Sequence, residues 1–175
     1  MKLTKKLLAM ALAGVMLLTI LTGCSGGKTG DRLVEEYIAA YYHSLDHYKD
    51  IPITHDVPEI KTVAEKFDPS WLNADGSWAF SPRDNTIDAR YQALKDIFAD
   101  YKDSYTVILV AFEVDSKQSE LDQAMRVMTS STYNGLPVYS PTGKTTAIQC
   151  ATRLVTRGDK SYRIAVFIYD HHAAG

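Results

Sequence analysis

The sequence lacks the motifs that usually mark a catalytic or nucleic-acid-binding protein. Its 175 residues include only two cysteines and no G-x-S-x-G elbow for a serine nucleophile. Gly143-Lys144-Thr145 resembles the end of a phosphate-binding loop, but Val138 stands where the first glycine of that loop belongs. The 19 basic and 21 acidic residues give a net charge of −2. We expect no nucleic-acid partner, because such a partner usually requires a basic face.

Long apolar runs are also missing, except for one close to the first residue. This run extends from Leu7 to about Leu21 without a charge, follows three lysines and leads into Leu21-Thr22-Gly23-Cys24. A charged start, an apolar core and a small residue at the cleavage point are typical of a secretory signal. A membrane-spanning helix needs ~20 apolar residues, so a run of roughly 15 is short for one.

The four residues that end this run resemble the lipobox of bacterial lipoproteins. The resemblance implies cleavage between Gly23 and Cys24 and attachment of a diacylglycerol to the Cys24 thiol, often with acylation of the new amino group. Two or more acyl chains hold a protein stably at a bilayer. The expected location is therefore extracytoplasmic, with the lipid on Cys24 anchoring the protein to the cell membrane. An ordinary signal peptide with an incidental cysteine, or an uncleaved anchor, is the alternative.

Cleavage would divide the chain into three parts. Residues 1–23 are the removed signal peptide, residues 24–30 are the lipidated cysteine with a Gly/Ser-rich flexible tether, and residues 31–175 form a single domain. The loss of three lysines moves the net charge to −5. Cys150 is then left without an intramolecular partner. Its apolar surroundings predict a buried thiol rather than a reactive one.

Hydrophobic periodicity predicts helices in the first half of the domain and strands in the second. The expected helices are Asp31 to Lys49, Pro58 to Phe67, and Ser81 to about Lys102. The expected strands are residues 105–114, 136–139, 145–156 and 160–169, with a tight turn at Arg157-Gly158-Asp159. Residues 123–133 fit a helix or a strand. This order predicts an α+β fold with the N-terminal helices packed on one face of a curved antiparallel sheet.

The same order, a long amphipathic helix first and a long hairpin last, resembles the nuclear transport factor 2-like or cystatin-like α+β cone. That resemblance implies a cavity between helices and sheet. Eleven tyrosines are available to line it, since ligand pockets are mostly apolar with a few placed polar groups. Boundary core is the alternative role for these tyrosines. The candidates for the pocket lining are Tyr41, Tyr91, Tyr101, Tyr162 and Tyr169.

Two further motifs have simpler explanations than function. His43 and His47 share a helix face, but Ser44 stands where a metalloprotease has glutamate, and two histidines make half a tetrahedral site. Arg157-Gly158-Asp159 spells an adhesion tripeptide, yet turn geometry alone selects glycine and aspartate there. We therefore predict no metal, no cofactor and no adhesion role.

These observations favour a non-enzymatic domain of the cell envelope. It would bind a small ligand or an envelope protein through the concave sheet face or an exposed strand edge. The alternative is an enzyme similar to the polyketide-cyclase and dehydratase branch of the same fold, with an Asp–His pair drawn from Asp88, Asp170 or His171. Asp170-His171-His172 is otherwise a polar tail. A purely structural role in envelope or sporulation machinery is the third possibility.

Overall fold

A computed structural model describes residues 30–80, 88–141 and 143–171, without the side chain of Tyr133. The predicted signal peptide, Cys24, the predicted helix start at Ser81, and His172 lie outside these residues. The described chain contains four α-helices: α1 (Gly30–His43), α2 (Glu59–Lys66), α3 (Ala89–Ile97) and α4 (Glu120–Tyr133). Its five strands are β1 (Ile53–Thr54), β2 (Tyr105–Val114), β3 (Leu136–Tyr139), β4 (Ala147–Arg157) and β5 (Lys160–Asp170).

The strands form one open sheet in the order β1-β4-β5-β2-β3. All neighbours are antiparallel except β1, which pairs with β4 in parallel, so the sheet is mixed rather than purely antiparallel. The predicted hairpin of β4 and β5 is confirmed, and Gly158 turns it with a φ of 63°. The α+β class is thereby confirmed.

Helices cover both faces of the sheet, which corrects the prediction of helices on one face. On the α1–α4 face, α1 and α4 cover Phe167 and Ala165 of β5. On the α2–α3 face, α2 and α3 cover Ile164, Val166 and Ile168 of the same strand. The physical reason is that β5 is apolar on both sides, and each apolar side must be shielded from water.

Local hydrogen bonds explain where the helices depart from the predicted bounds. The helix expected to reach Lys49 ends at His43, where the Ser44 hydroxyl donates to the Tyr41 carbonyl at 2.6 Å. The ambiguous stretch 123–133 lies within α4, which starts in a capping box between Ser119 and Asp122. In the described part of the chain, the helix predicted over 81–102 begins after Asp88, which caps α3.

A buried arginine lies where α1 begins on the α1–α4 face. Arg163 of β5 is 1% exposed and forms an ion pair with Asp31 in the first turn of α1. Its Nε and Nη2 atoms donate to Gln123 Oε1 at 3.0 and 2.7 Å. Because a buried charge is costly unless it is paired, these contacts fix the start of α1 and of α4 over the sheet.

Candidate binding cleft

An open cleft of about 350 Å³ lies on the α1–α4 face, at the end where α1 stops. We call it the tyrosine cleft. Three tyrosines come from α1 and the turns after it, and a fourth comes from the end of β5. The lining residues are Tyr41, Tyr42, Leu45, Tyr48, Thr106, Ile108, Met128, Ser131, Thr132, Thr145, Tyr169 and His171.

The tyrosines of the cleft contact one another. The hydroxyls of Tyr42 and Tyr169 are 2.8 Å apart and share a hydrogen bond. Tyr42 also meets Tyr48 edge-to-face with ring centroids 5.2 Å apart, and Tyr41 in the same way at 6.1 Å. Such edge-to-face pairs are favourable for aromatic quadrupoles. Tyr41 is 40% exposed, so this aromatic cluster reaches the surface at the lip of the cleft.

Burial controls the protonation of the hydroxyl pair. Burial raises the pKa of Tyr42 and, much more strongly, the pKa of Tyr169. Both phenols are therefore neutral at ordinary pH, and neither is an activated base or nucleophile.

Hydroxyls and one imidazole supply the polar groups of the cleft. Ser131 and Thr132, in the last turn of α4, both donate to the Met128 carbonyl, at 2.9 and 3.1 Å. The Thr106 hydroxyl lies 2.7 Å from His171 Nε2, which fixes one side of that ring. The lining residues that belong to the described ranges include no aspartate, glutamate, lysine or arginine. The site therefore offers neutral hydrogen-bonding groups around an aromatic surface.

His171 is held closely at the edge of the cleft. Its backbone N–H donates to the Ser104 carbonyl at 2.9 Å. Within the described residues, its buried Nδ1 atom has no hydrogen-bond partner. A side chain at Gly143 would come within 2.9 Å of the His171 Cβ atom, so this glycine is needed for the close approach of the loop.

The five predicted pocket tyrosines do not come together. Tyr41 and Tyr169 line the tyrosine cleft. Tyr91 and Tyr101 lie on the α2–α3 face, where they donate to the Pro137 carbonyl at 2.9 Å and to Glu59 Oε1 at 3.1 Å. Tyr162 is buried on that face as well.

Sequence reasoning missed Tyr42 and Tyr48 as members of the site. Of the tyrosines in the expected helix Asp31 to Lys49, only Tyr41 was among the pocket candidates. A spacing of four residues, from Val34 through Ile38 to Tyr42, marks the buried line of α1 in the structure. That spacing was the available signal for Tyr42.

The proposed acid–histidine pairs are not assembled in the cleft. Asp88 is hydrogen-bonded to Arg90 at the start of α3, and this contact lowers the pKa of Asp88 to about 2. Strand alternation puts the Asp170 side chain on the α2–α3 face with Ile168, whereas His171 lines the cleft on the other face.

The remaining motif residues have local roles. His43 Nε2 lies 3.2 Å from the Ile51 carbonyl, and His47 packs edge-on against Tyr48. Among the described residues, no three His, Cys, Asp or Glu side chains cluster as metal ligands. Arg157 of the Arg-Gly-Asp tripeptide donates to the carbonyl groups of α2 and its C-cap. Cys150 is fully buried, and burial raises the pKa of its thiol well above the usual range.

Side chains fill the outer edge of β4. The short strand β1 pairs with only two residues of β4, Ile148 and Gln149. Beyond them, side chains satisfy the outward backbone groups. The contacts are His55 Nδ1 to Cys150 O (3.0 Å), Glu35 Oε1 to Thr152 N (2.8 Å) and Asp31 Oδ1 to Leu154 N (3.0 Å). An added strand would have to displace all three side chains.

The opposite edge of the sheet is blunted in a different way. Strand β3 has four residues, and Pro137 within it has no N–H to donate. The Tyr91 hydroxyl donates to the Pro137 carbonyl at 2.9 Å and to the Val138 carbonyl at 3.3 Å. The short strand β3 and the occupied carbonyl groups therefore leave little of this edge for a partner to pair with.

Comparison with known proteins adds no relative. No family model matches the chain, and neither the curated proteins nor the solved structures contain a match. Of the helices in the described part of the chain, none combines the length and apolar character needed to cross a membrane.

Proposed function

We propose that this protein is a lipid-anchored, extracytoplasmic binding protein of the cell envelope, and that the tyrosine cleft is its binding site. The observation that carries the proposal is the cleft itself, which is aromatic, uncharged and open at Tyr41. Ligand sites in proteins are concave and largely apolar, with a few polar groups that set orientation. At about 350 Å³, the cleft falls near the lower end of the ~300–1,000 Å³ range of such sites.

Binding is favoured over catalysis by the chemistry of the lining. A general acid–base mechanism needs a titratable group poised near the operating pH, commonly oriented by a second polar group. The histidine that lines the cleft in the described part of the chain, His171, is hydrogen-bonded to a threonine hydroxyl. Asp88, one of the acids considered for the enzyme, is held ionised by Arg90 on the far side of the sheet.

The sheet edges favour the cleft over strand addition as the binding surface. The β4 edge is filled by Asp31, Glu35 and His55, and the β3 edge is blunted by Pro137 and Tyr91. A partner that adds a strand gains affinity from free backbone groups. Three such groups of β4 and two of β3 are already occupied by side chains, which supports a ligand of the cleft over a partner at these two strands.

The place where α1 starts supports a position close to the bilayer for that end of the anchored protein. Six residues separate Cys24 from Asp31, which is fastened to Arg163. The cleft lies at the other end of α1, a helix of 14 residues, or about 21 Å. An anchor on Cys24 would keep the start of α1 within a short tether of the bilayer, and the flexible tether would let the cleft turn away from the membrane surface.

The resemblance to the nuclear transport factor 2-like family is part of the proposal only in its general layout. A long first helix, a long terminal hairpin and a cleft between helix and sheet support it. The α2–α3 layer on the second face is an addition to that layout. A curved, cone-like sheet is the finer expectation, and the long strands β2, β4 and β5 are compatible with it.

The anchor is tested by Cys24→Ala in cells that express the full-length protein. Loss of the lipid site should move the protein from the membrane fraction to the medium or the soluble fraction. Cys150→Ala is the matched control, because it removes the other cysteine and should leave the protein in the membrane fraction. Retention of the Cys24→Ala protein in the membrane fraction would contradict the lipid anchor.

A further inference from the structure

The hydrogen-bonding state of the cleft narrows the chemistry of its ligand. A serine or threonine hydroxyl has one hydrogen to donate and two lone pairs that accept. In Ser131 and Thr132 the hydrogen is used on the Met128 carbonyl, so only acceptor lone pairs remain for another molecule. A ligand that contacts these two hydroxyls must therefore bring hydrogen-bond donors.

The uncharged lining of the cleft narrows the chemistry of the ligand further. Among the described residues, no carboxylate, ammonium or guanidinium group lines the site. A charged ligand would lose hydration on entry without gaining a counter-charge, which is costly. The lining thus favours a neutral ligand.

The exposed ring of Tyr41 indicates the shape of the ligand. Tyr41 is 40% exposed at the lip and is braced edge-to-face against Tyr42. The negative face of an aromatic ring attracts the slightly positive C–H groups of a flat apolar surface. A pyranose ring has such C–H groups on its faces and hydroxyl donors around its rim.

We propose that the tyrosine cleft binds a neutral saccharide unit, with Tyr41 stacked on the sugar ring and the hydroxyls of Ser131 and Thr132 accepting hydrogen bonds from the rim of the sugar. This inference rests on the proposed binding function of the same cleft and names its ligand class. Sugar residues are abundant in cell envelopes, and a cleft at the far end of α1 from a flexible membrane tether can reach them.

The test uses the full-length lipidated protein in a detergent without a sugar headgroup. The probes are N-acetylglucosamine and its β-1,4 trimer, titrated to about 10 mM with isothermal titration calorimetry as the readout. We expect saturable binding, stronger for the trimer. Tyr41→Ala should weaken it about tenfold, because the stacking surface is lost. Thr132→Val keeps the shape but removes the acceptor, and should weaken it about threefold to tenfold.

Matched controls separate the saccharide inference from the broader proposal. Met125→Ala truncates an exposed apolar side chain of α4 outside the cleft lining and should leave binding unchanged. N-acetylglucosamine 6-phosphate should bind more weakly than the neutral sugar. Tyr41-dependent binding of indole without binding of either sugar would overturn the saccharide class and leave the cleft as a binding site. If neither sugar nor indole binds in a Tyr41-dependent way, both proposals are wrong.

Discussion

The two faces of the sheet bury similar kinds of residues but use their polar atoms differently. On the α2–α3 face, the hydroxyls of Tyr91 and Tyr101 are consumed by the protein's own carbonyl and carboxylate oxygens, and aromatic rings fill the interior. On the α1–α4 face, a buried arginine network secures one end and an open tyrosine cleft occupies the other. The comparison suggests that one face supplies stability and that the other combines stability with recognition.

The largest expected loss of stability is on the α2–α3 face. Phe98 is fully buried in the core of that face. Phe98→Ala should lower the free energy of unfolding by about 4 kcal/mol, because the cavity that it leaves cannot collapse. Urea unfolding of the solubilised protein measures this loss. Tyr41→Ala, at the open lip, is the contrasting variant and should cost less than about 0.5 kcal/mol. Equal losses would remove the distinction between the two faces.

The second-largest expected loss of stability is at the buried Arg163. Arg163→Ala removes the cation and leaves Gln123 and Asp31 without their shared partner, which should destabilise the protein by about 3 kcal/mol. Asp31→Asn is the companion variant and should cost less, because Asp31 is one-third exposed and the amide still accepts a hydrogen bond. A loss below about 1 kcal/mol for Arg163→Ala would mean that this end of the face is held by packing alone.

The smallest effect is a pH dependence at the β4 edge. Burial lowers the pKa of His55 and outweighs the hydrogen bond to the Cys150 carbonyl and the nearby Glu36 carboxylate, which both raise it. A lowered folded-state pKa means that neutral His55 favours the fold. Its contribution is present above the ordinary histidine pKa and is lost as the pH falls through the lowered pKa of the folded protein.

Thermal unfolding across that pH range measures the contribution of His55. His55→Gln should flatten the decline in the midpoint, because glutamine does not titrate. His47 is exposed, so His47→Gln should leave the decline in the unfolding midpoint unchanged. If the midpoint of the His55→Gln protein declines by the same amount, groups other than His55 cause the pH dependence.

The sequence predicted the strands better than the layers. Branched and aromatic residues identified the β4–β5 hairpin, because its alternation and its Gly158 turn are local signals. Which face a helix covers depends on the path of the chain between elements, and no local pattern records that path. One signal was available: the uninterrupted apolar run of residues 164–168 in β5 indicates a strand buried on both sides.

The cleft was predictable only in part, for a related reason. Tyr41 and Tyr169 were both identified, but tyrosines on the filled face have the same periodicity as tyrosines on the open one. Tyr91 and Tyr162 differ from Tyr41 and Tyr169 in that neighbouring side chains on the α2–α3 face cover their rings. That difference arises from contacts between distant segments, such as the 2.8 Å contact between the hydroxyls of Tyr42 and Tyr169, 127 residues apart.

The ion pair between Asp31 and Arg163 also has a mechanical consequence. A pull on the chain ahead of Gly30 meets the first turn of α1, whose Asp31 is bonded both to Arg163 of β5 and to the Leu154 N–H of β4. The load therefore passes directly into the interior of the sheet, where β5 has a long hydrogen-bonded neighbour on each side. Force applied through a membrane anchor would therefore be carried first by the paired strands β4 and β5 rather than by the cleft at the far end of α1.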